Sequence, residues 1–425
     1  MPKSHYGWEV GGVLPDIGSH SLAKHRIIRK YVERYIEILT AISWQEQLNI
    51  TFVDGYAGGG RYAFGAATVP GSPLILLEAV AQAEAQLDAS RAKGFRINAE
   101  FIFIDSDPKH VEFLREEILK SPYASNLDST IRIWCGDFNE RVQDAIAVAK
   151  ARSRKGRSIF LLDQYGWSQV AFRSVREILA SLEKAEVFLT FSVDSLISYL
   201  SENSHNLRAF GEIDMDPAMV KEIVAVKESE QIGYRALIQN TLYDHVQRAT
   251  NAPFYSPFFI KSPEASRSYW FIHLSKHREA RNEIGMIHWA ENNTTVHHGR
   301  AGFHALGFTP GGVSPEQIEM TYFFDGHAKE MSRKALLEEL PRAIYDAANS
   351  DVAPTLEEVF GQRCNDTPVV REQLESVLVE LRDAKELTIV GDNGKVRPRT
   401  STVDWTDRIV LPRQLSFLGP FSKLK

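Results

Sequence analysis

NITFVDGYAGGGRY, residues 49–62, runs a short apolar stretch into an acid and then into four glycines interrupted only by Tyr56 and Ala57. The first part predicts a strand, and the glycines predict a bend that either turns tightly or brings backbone close to another group. Glycines at a strand end let N–H groups approach a ligand, and a helix behind them offers the positive end of its dipole. Gly58 and Gly60 supply G-x-G, with Ala63 where a third glycine or alanine could stand. Such a triplet alone also serves as a plain structural bend, so the surrounding chain has to decide.

Working outward, apolar runs recur at 101–105 (FIFID), 131–135 (IRIWC), 158–163 (SIFLLD) and 186–192 (EVFLTFS). Their near-continuous apolar character predicts strands buried on both faces. Helical patterns lie between them at 73–87, 110–120, 139–151 and 172–183, and residues 21–40 carry an apolar stripe of helical period. Strand alternating with helix means a Rossmann-like α/β fold with a parallel sheet. FFIKS (258–262) and SYWFIHLS (268–275) flank the loop PEASR and predict an antiparallel hairpin. A parallel sheet closed by such a hairpin is the pattern of class I methyltransferases. A helical insertion near 195–250 precedes the hairpin and could roof a substrate site.

Four successive strands deliver an acid to their C-terminal edge: Asp54, then Asp105 with Asp107, then Asp137 after Gly136, then Asp163. That edge is where ligands bind in open α/β sheets. An acid after the second strand can accept both ribose hydroxyls. Asp137 can accept an adenine amino group, with Phe138 as a flat apolar surface for the ring. The bland alternative is that Asp107 and Asp137 cap the helices that follow. The cofactor-binding set is therefore Asp54, Gly55, Tyr56, Ala57, Gly58, Gly60, Asp105, Asp107, Asp137 and Phe138. S-adenosylmethionine fits better than a nicotinamide, because the second-strand acid arrives about fifty residues after the first instead of the ~20 of the dinucleotide fingerprint.

The fourth strand ends in Asp163-Gln164-Tyr165-Gly166-Trp167. Amino-methylating enzymes carry Asp/Asn-Pro-Pro-aromatic there, gripping the target amine and stacking on an extruded base. The acid and an aromatic are kept here and both prolines are absent, so Asp163, Tyr165 and Trp167 are the catalytic candidates while base N-methylation does not carry over. Cytosine C5 chemistry needs a nucleophilic cysteine near strand four; Cys135 instead closes strand three and reads as a packing residue. The histidines toward the C-terminus, His297-His298 included, lack metal-ligand spacing and read as structural or solvated, so no metal is expected.

The 425 residues imply two or three domains, and 44% hydrophobic with 24% charged residues describe an ordinary globular chain. No run approaches the ~18 apolar residues of a membrane span. The N-terminus lacks a secretory apolar core, and two cysteines form no disulfide framework, so the reading is cytoplasmic and reduced. A net charge of −6 gives no global pull toward nucleic acid. Local basic patches at 24–35 (KHRIIRKYVERY) and 152–157 (RSRKGR) are the best exceptions, though such runs are usually solvated faces.

Residues 1–315 thus form the α/β domain with an N-terminal helical arm. Past Gly311-Gly312, helical patterns at 333–348, 355–360 and 368–384 precede a strand, a turn at Asp392-Asn393-Gly394 and a return strand. Three helices and a β-wing over 330–425 describe a winged helix, with Lys395, Arg397 and Arg399 on the wing as nucleic-acid contacts. Its presumptive recognition helix, 368–384, is too acidic for a phosphate-lined groove.

Taken together, the chain resembles the three-Cys-motif partner protein family, TcmP. The resemblance rests on K-H-x3-R-x-Y (Lys24, His25, Arg29, Tyr31), the glycine stretch at 52–62, P-G-S-P-L (70–74), F-I-D-x-D (103–107), L-L-D-x-Y-G-W (161–167) and the C-terminal winged helix. Gln164 departs from the family's proline. The resemblance implies a methyltransferase-like protein encoded beside a radical S-adenosylmethionine protein bearing three cysteines, and a role in DNA repair, modification or phage biology. Two functions compete: a methyltransferase acting on DNA or RNA, or a non-catalytic partner whose winged helix docks the radical enzyme or a second copy of itself. A carboxylate-bound divalent ion in a nuclease or lyase is a weaker third.

Overall fold

The computed structural model describes residues 7–41, 45–91, 94–201, 204–229, 234–261, 268–291, 302–304, 326–348, 352–398 and 402–412. The chain divides into two compact units, 1–297 with 313–324 and 298–312 with 325–425.

In the first unit the opening stretch is a strand as expected, β1 (Gln47–Asp54), buried at its last five positions. It is preceded by α1 (Ser19–Thr40). Between the glycine bend and the next helix lies an unanticipated hairpin, β2 (Arg61–Phe64) with β3 (Ala67–Pro70). Helix α2 (Ser72–Ser90) follows, then β4 (Arg96–Asp105), α3 (Pro108–Leu119), β5 (Ile131–Cys135), α4 (Phe138–Arg152), β6 (Ser158–Leu162), α5 (Phe172–Ser181) and β7 (Ala185–Phe191). Four helices occupy 193–250: α6 (Val193–Tyr199), α7 (Ser204–Glu212), α8 (Pro217–Glu228) and α9 (Tyr234–Thr250). The unit closes with β8 (Phe254–Lys261), β9 (Ser268–Ser275) and α10 (Arg278–Ala290).

The seven-stranded sheet runs β5-β4-β1-β6-β7-β9-β8. The first five strands are parallel, with registers such as Phe52↔Phe101 and Thr51↔Ser158. β9 is antiparallel to both β7 and β8 and lies between them. Every residue of β6 and β7 is buried, as strands covered on both faces require. This is the mostly parallel α/β sheet with an antiparallel closing hairpin that the sequence predicts; the PEASR loop lies outside the described residues. The P-G-S-P-L stretch has a packing reason. Gly71 donates its N–H to Gly60 O at 2.8 Å, and a Cβ on Gly71 would lie 3.1 Å from Gly60 backbone, so two glycines let α2 start against the bend.

The second unit contains α11 (Gly326–Ala347), α12 (Leu356–Arg363) and α13 (Arg371–Asp383), followed by β10 (Thr388–Val390) and β11 (Arg408–Val410). A Thr355 capping box starts α12. β10 pairs antiparallel with β11, while the return from the Asp392-Asn393-Gly394 turn makes a single bridge, Val390↔Val396. The ladder partner of β10 is therefore a later segment than the sequence suggests. Gly311-Gly312 and the boundary at 315–325 lie outside the described residues.

Candidate functional site

The sheet brings the acids together. β5, β4, β1 and β6 are consecutive neighbours, so Asp137, Asp105, Asp54 and Asp163 follow one another along one rim. Their environments differ. Asp54 is fully buried, and its Oδ1 accepts the Tyr56 N–H at 3.1 Å. Burial pushes its carboxyl up to about 7 against the opposing pull of the Ser72 hydroxyl and the Tyr56 N–H. Asp54 is thus the floor beneath the bend. Asp105 accepts from Gly58 N–H and Asp107 N–H, each at 2.9 Å, and lies 3.1 Å from His110 Nδ1. Asp107 and Asp137 do cap α3 and α4, through Lys109 N–H and Asn139 N–H. Asp137 nevertheless remains exposed.

The bend is stitched to the sheet by four consecutive N–H groups. Gly55 donates to Leu161 O, Tyr56 to Asp54, Ala57 to Ile104 O and Gly58 to Asp105. Gly59 and Gly60 N–H make no hydrogen bond among the described residues. Gly58 (φ +57°) and Gly60 (φ +79°) adopt the left-handed conformation that glycine tolerates.

Two features of the bend depart from the sequence reading. The close approach that the glycines permit is made by the chain's own Trp8: a Cβ on Gly59 would lie 2.2 Å from Trp8 Cγ, and one on Gly58 2.8 Å from its ring. Trp8 Nε1 donates to Arg61 O at 2.6 Å, and the ring packs edge-on against Tyr62 and His110. Phe138, expected to face an adenine, is 1% exposed and packs under Gly55, whose Cβ would meet its ring at 2.6 Å. The half-buried aromatic beside it is Tyr56, its ring centroid 6.2 Å from that of Phe138. Its hydroxyl is buried without a hydrogen-bond partner among the described residues, and burial together with the nearby Asp137 and Asp105 raises its pKa.

At the fourth strand, Lys24 of α1 places Nζ 2.5 and 2.7 Å from the two oxygens of Asp163. Burial works to raise this carboxyl, but Lys24, Thr190 and His25 together hold it below the usual range. His25, also buried, is pulled down to about 4 by burial and is neutral at pH 7, with Nδ1 unpartnered among the described residues. Gln164 shows what replaces the missing proline. Its Oε1 accepts from Gln169 N–H and Val170 N–H, and its Nε2 donates to Thr190 O, so one side chain shapes the loop. Tyr165 is 59% exposed on that loop. Trp167 is turned inward and stacks on Phe210 of α7 at 4.9 Å, away from solvent.

Cys135 is exposed, not packed, because it ends β5 where the strand leaves the core. The basic run on α1 is neutralised: Arg26 and Lys30 pair with Glu291, Arg29 with Glu78, and Arg34 with Glu283 and Glu37. In the second run Lys155 pairs with Glu183 and Arg152 donates to Asn98 O. In the second unit Lys395 is exposed, Arg397 is held by Asp404 and Asp407, and Arg399 lies outside the described residues, as do His297 and His298. Among the described residues no group of three metal-ligating side chains occurs and no helix is long and apolar enough to cross a membrane. The residues that sequence reasoning left without a role are Trp8, Lys24 and His25. The last two stood in a noticed motif, whereas nothing in GWEVGG signals the packing of Trp8.

No family model matches the chain, and no curated protein matches it. Among solved structures it is similar to protein LPL1258 from Legionella pneumophila, of the family DUF519. That match has 8% identity and TM-score 0.35, covering 59% of this chain and 84% of that one. It is also similar to a SAM-dependent methyltransferase from Agrobacterium tumefaciens (7%, TM-score 0.30, 61% of this chain and 63% of that one). A third is P. horikoshii TYW2 in complex with MeSAdo (12%, TM-score 0.24, 64% and 68%). At these scores the likeness adds nothing to the strand order, which stands on its own registers.

Proposed function

We propose that the chain is an S-adenosylmethionine-dependent methyltransferase that acts on or with nucleic acid, beside a radical S-adenosylmethionine protein. The observation that carries this reading is the buried Tyr56 hydroxyl, without a partner among the described residues, beside Asp105 and Asp137 on a rim formed by four consecutive strand ends. A buried polar group without a partner is costly, and a ligand that hydrogen-bonds it removes the cost. The donor set fits an adenosyl group. Asp105 has acceptor capacity left for a ribose hydroxyl, and exposed Asp137 for an adenine amine, while Gly60 retains its N–H for a carboxylate. When bound, that cofactor supplies an electrophilic methyl group. An acceptor amine at Asp163 would have to share the carboxylate with the Lys24 ammonium, which contacts both oxygens. Exposed Tyr165 is the residue left to stack on an acceptor base.

The three helices and small antiparallel sheet of the second unit support a winged helix. Charges on its α13 are already paired, Arg371 with Glu375 on the same helix and Glu380 with Arg333 of α11, so exposed Lys395 is the better phosphate contact. The TcmP resemblance supplies the radical partner. The second reading is a non-catalytic scaffold docking that partner or a second copy, and it is favoured by Lys24 on Asp163 and by Trp8 on the glycines. Titration calorimetry with S-adenosylhomocysteine separates them. Saturable heat that weakens by roughly 1–3 kcal/mol on Asp137→Ala supports the first. Absence of heat from both S-adenosylhomocysteine and S-adenosylmethionine leaves the scaffold.

A further inference from the structure

Among the described residues of the first unit, only three large aromatic side chains are exposed: Phe64 at 50%, Tyr165 at 59% and Tyr199 at 63%. Each belongs to an element that follows the C-terminal end of a sheet strand. Phe64 ends β2 of the hairpin after β1, Tyr165 lies in the loop after β6, and Tyr199 ends α6 after β7. β1, β6 and β7 are adjacent, so all three elements leave the sheet at the rim that carries the acids. β9 is the next strand, and its antiparallel direction puts its first residues at this same rim. There Tyr269 stacks flat on His20 of α1, the ring centroids 5.3 Å apart. Strand ends ~4.8 Å apart thus each carry an aromatic group nearby. Contacts tie these elements together. Tyr62, on the same face of β2 as Phe64, has its ring centroid 6.1 Å from that of His25. The next residue, Lys24, holds Asp163, and Gly166 O beside Tyr165 accepts the Ser192 N–H at 3.1 Å where α6 begins.

Single exposed rings scattered over a surface are ordinary, whereas these gather on the one rim where the sheet offers a ligand site. Free cations do not gather there. Lys24 pairs with Asp163, Arg29 with Glu78, Arg26 and Lys30 with Glu291, and exposed Asp137 adds negative charge. A surface rich in rings and poor in free cations holds base faces better than phosphates. A duplex hides its base faces and offers one extruded base, whereas a single strand offers a face at every nucleotide. We infer that the acceptor is a single-stranded polynucleotide whose successive bases stack on Phe64, Tyr165 and Tyr199. The inference rests on the methyltransferase reading for the place of the acceptor and adds the class of strand.

The test is fluorescence anisotropy of the full chain with unstructured DNA and RNA strands of about twelve nucleotides, their duplexes, and an abasic strand that keeps the phosphates without the bases. A single strand should bind saturably and at least about tenfold tighter than either control, the tighter of DNA and RNA naming the polymer. Phe64→Ala, Tyr165→Ala and Tyr199→Ala should each weaken it roughly five- to hundredfold at an unchanged melting temperature, and Tyr165→Phe should bind as the parent does. No saturable binding of either strand, equal affinity for duplex or abasic strand, or parent-like binding by all three alanine variants would overturn the inference. Calorimetry with S-adenosylhomocysteine on the same preparations keeps the two claims apart. Cofactor heat beside any of those results leaves the methyltransferase reading standing, and strand binding without cofactor heat does the reverse.

Discussion

Lys24 and Asp163, 139 residues apart in the chain, meet with Nζ 2.5 Å from one carboxylate oxygen and 2.7 Å from the other. The lysine is nearly buried and the aspartate about a quarter exposed. The pair ties α1 to the end of β6. Lys24→Met leaves a mostly buried carboxylate without its cation and should cost about 2–4 kcal/mol by chemical denaturation. The Asp163 carboxyl is held below its ordinary 3.8, so the unfolded chain binds its proton first as pH falls. The pair's contribution is therefore full above about pH 4 and is lost below it. Lys24→Met should remove that acid-limb dependence; an unchanged acid limb would show that the pair contributes nothing.

Asp54 has the opposite sign. Burial raises its folded carboxyl to about 7, so its contribution is fully present below the unfolded value and is lost as pH rises toward and through 7. Asp54→Asn keeps an acceptor for the Tyr56 N–H and removes the charge. Denaturation at pH 5 and pH 8 should show the parent losing stability between them and the variant losing clearly less.

Gly59→Ala should expel the Trp8 indole, since the new methyl would fall 2.2 Å from Cγ and 2.8 Å from Phe113 Cδ1. A loss of about 1–3 kcal/mol is expected, with the N-terminal segment more open to protease. In the Trp8→Ala background the same change should cost clearly less, leaving only the Phe113 contact to be relieved. Additive losses in that double-mutant cycle would mean that the indole is not what the glycine accommodates.

Gln164→Ala strands two N–H groups and one carbonyl at the strand-four loop. The expected loss is about 2–4 kcal/mol, read by thermal or chemical unfolding. A near-neutral result would mean that the loop re-forms without the side chain.

Lys395→Ala should reduce the salt slope of DNA binding by about one while leaving the melting temperature unchanged. Arg397→Ala should instead lower the melting temperature, because Asp407 behind it is fully buried. The reverse pattern would make Arg397 the phosphate contact.

The sheet was legible in the sequence because strands covered on both faces leave short continuous apolar runs, such as FIFID and SIFLL, spaced by longer helical patterns. Acids at strand ends were legible for the same reason: each run has a visible end. The hairpin Arg61–Pro70 was not, since its short, half-exposed strands bury too little to leave a pattern. Nor was the company each rim residue keeps. Lys24 on Asp163, Trp8 on Gly59 and Phe138 under Gly55 are contacts between distant segments, and local pattern carries no record of them. Gln164 read as a missing proline, and its three hydrogen bonds show a different way of fixing the same loop.

β9 enters the sheet between β7 and β8, setting Trp270 opposite Phe191 and Phe259. A nascent chain leaving the ribosome therefore exposes the bare edge of β7 while the next seventy-odd residues are still being made, roughly several seconds at ordinary elongation rates. During that interval the largely apolar β7 edge, whose every residue is buried in the finished fold, is a template for any passing strand. Truncations that stop before Ser268 should then precipitate during synthesis, and chaperone dependence should fall sharply once that residue has been passed.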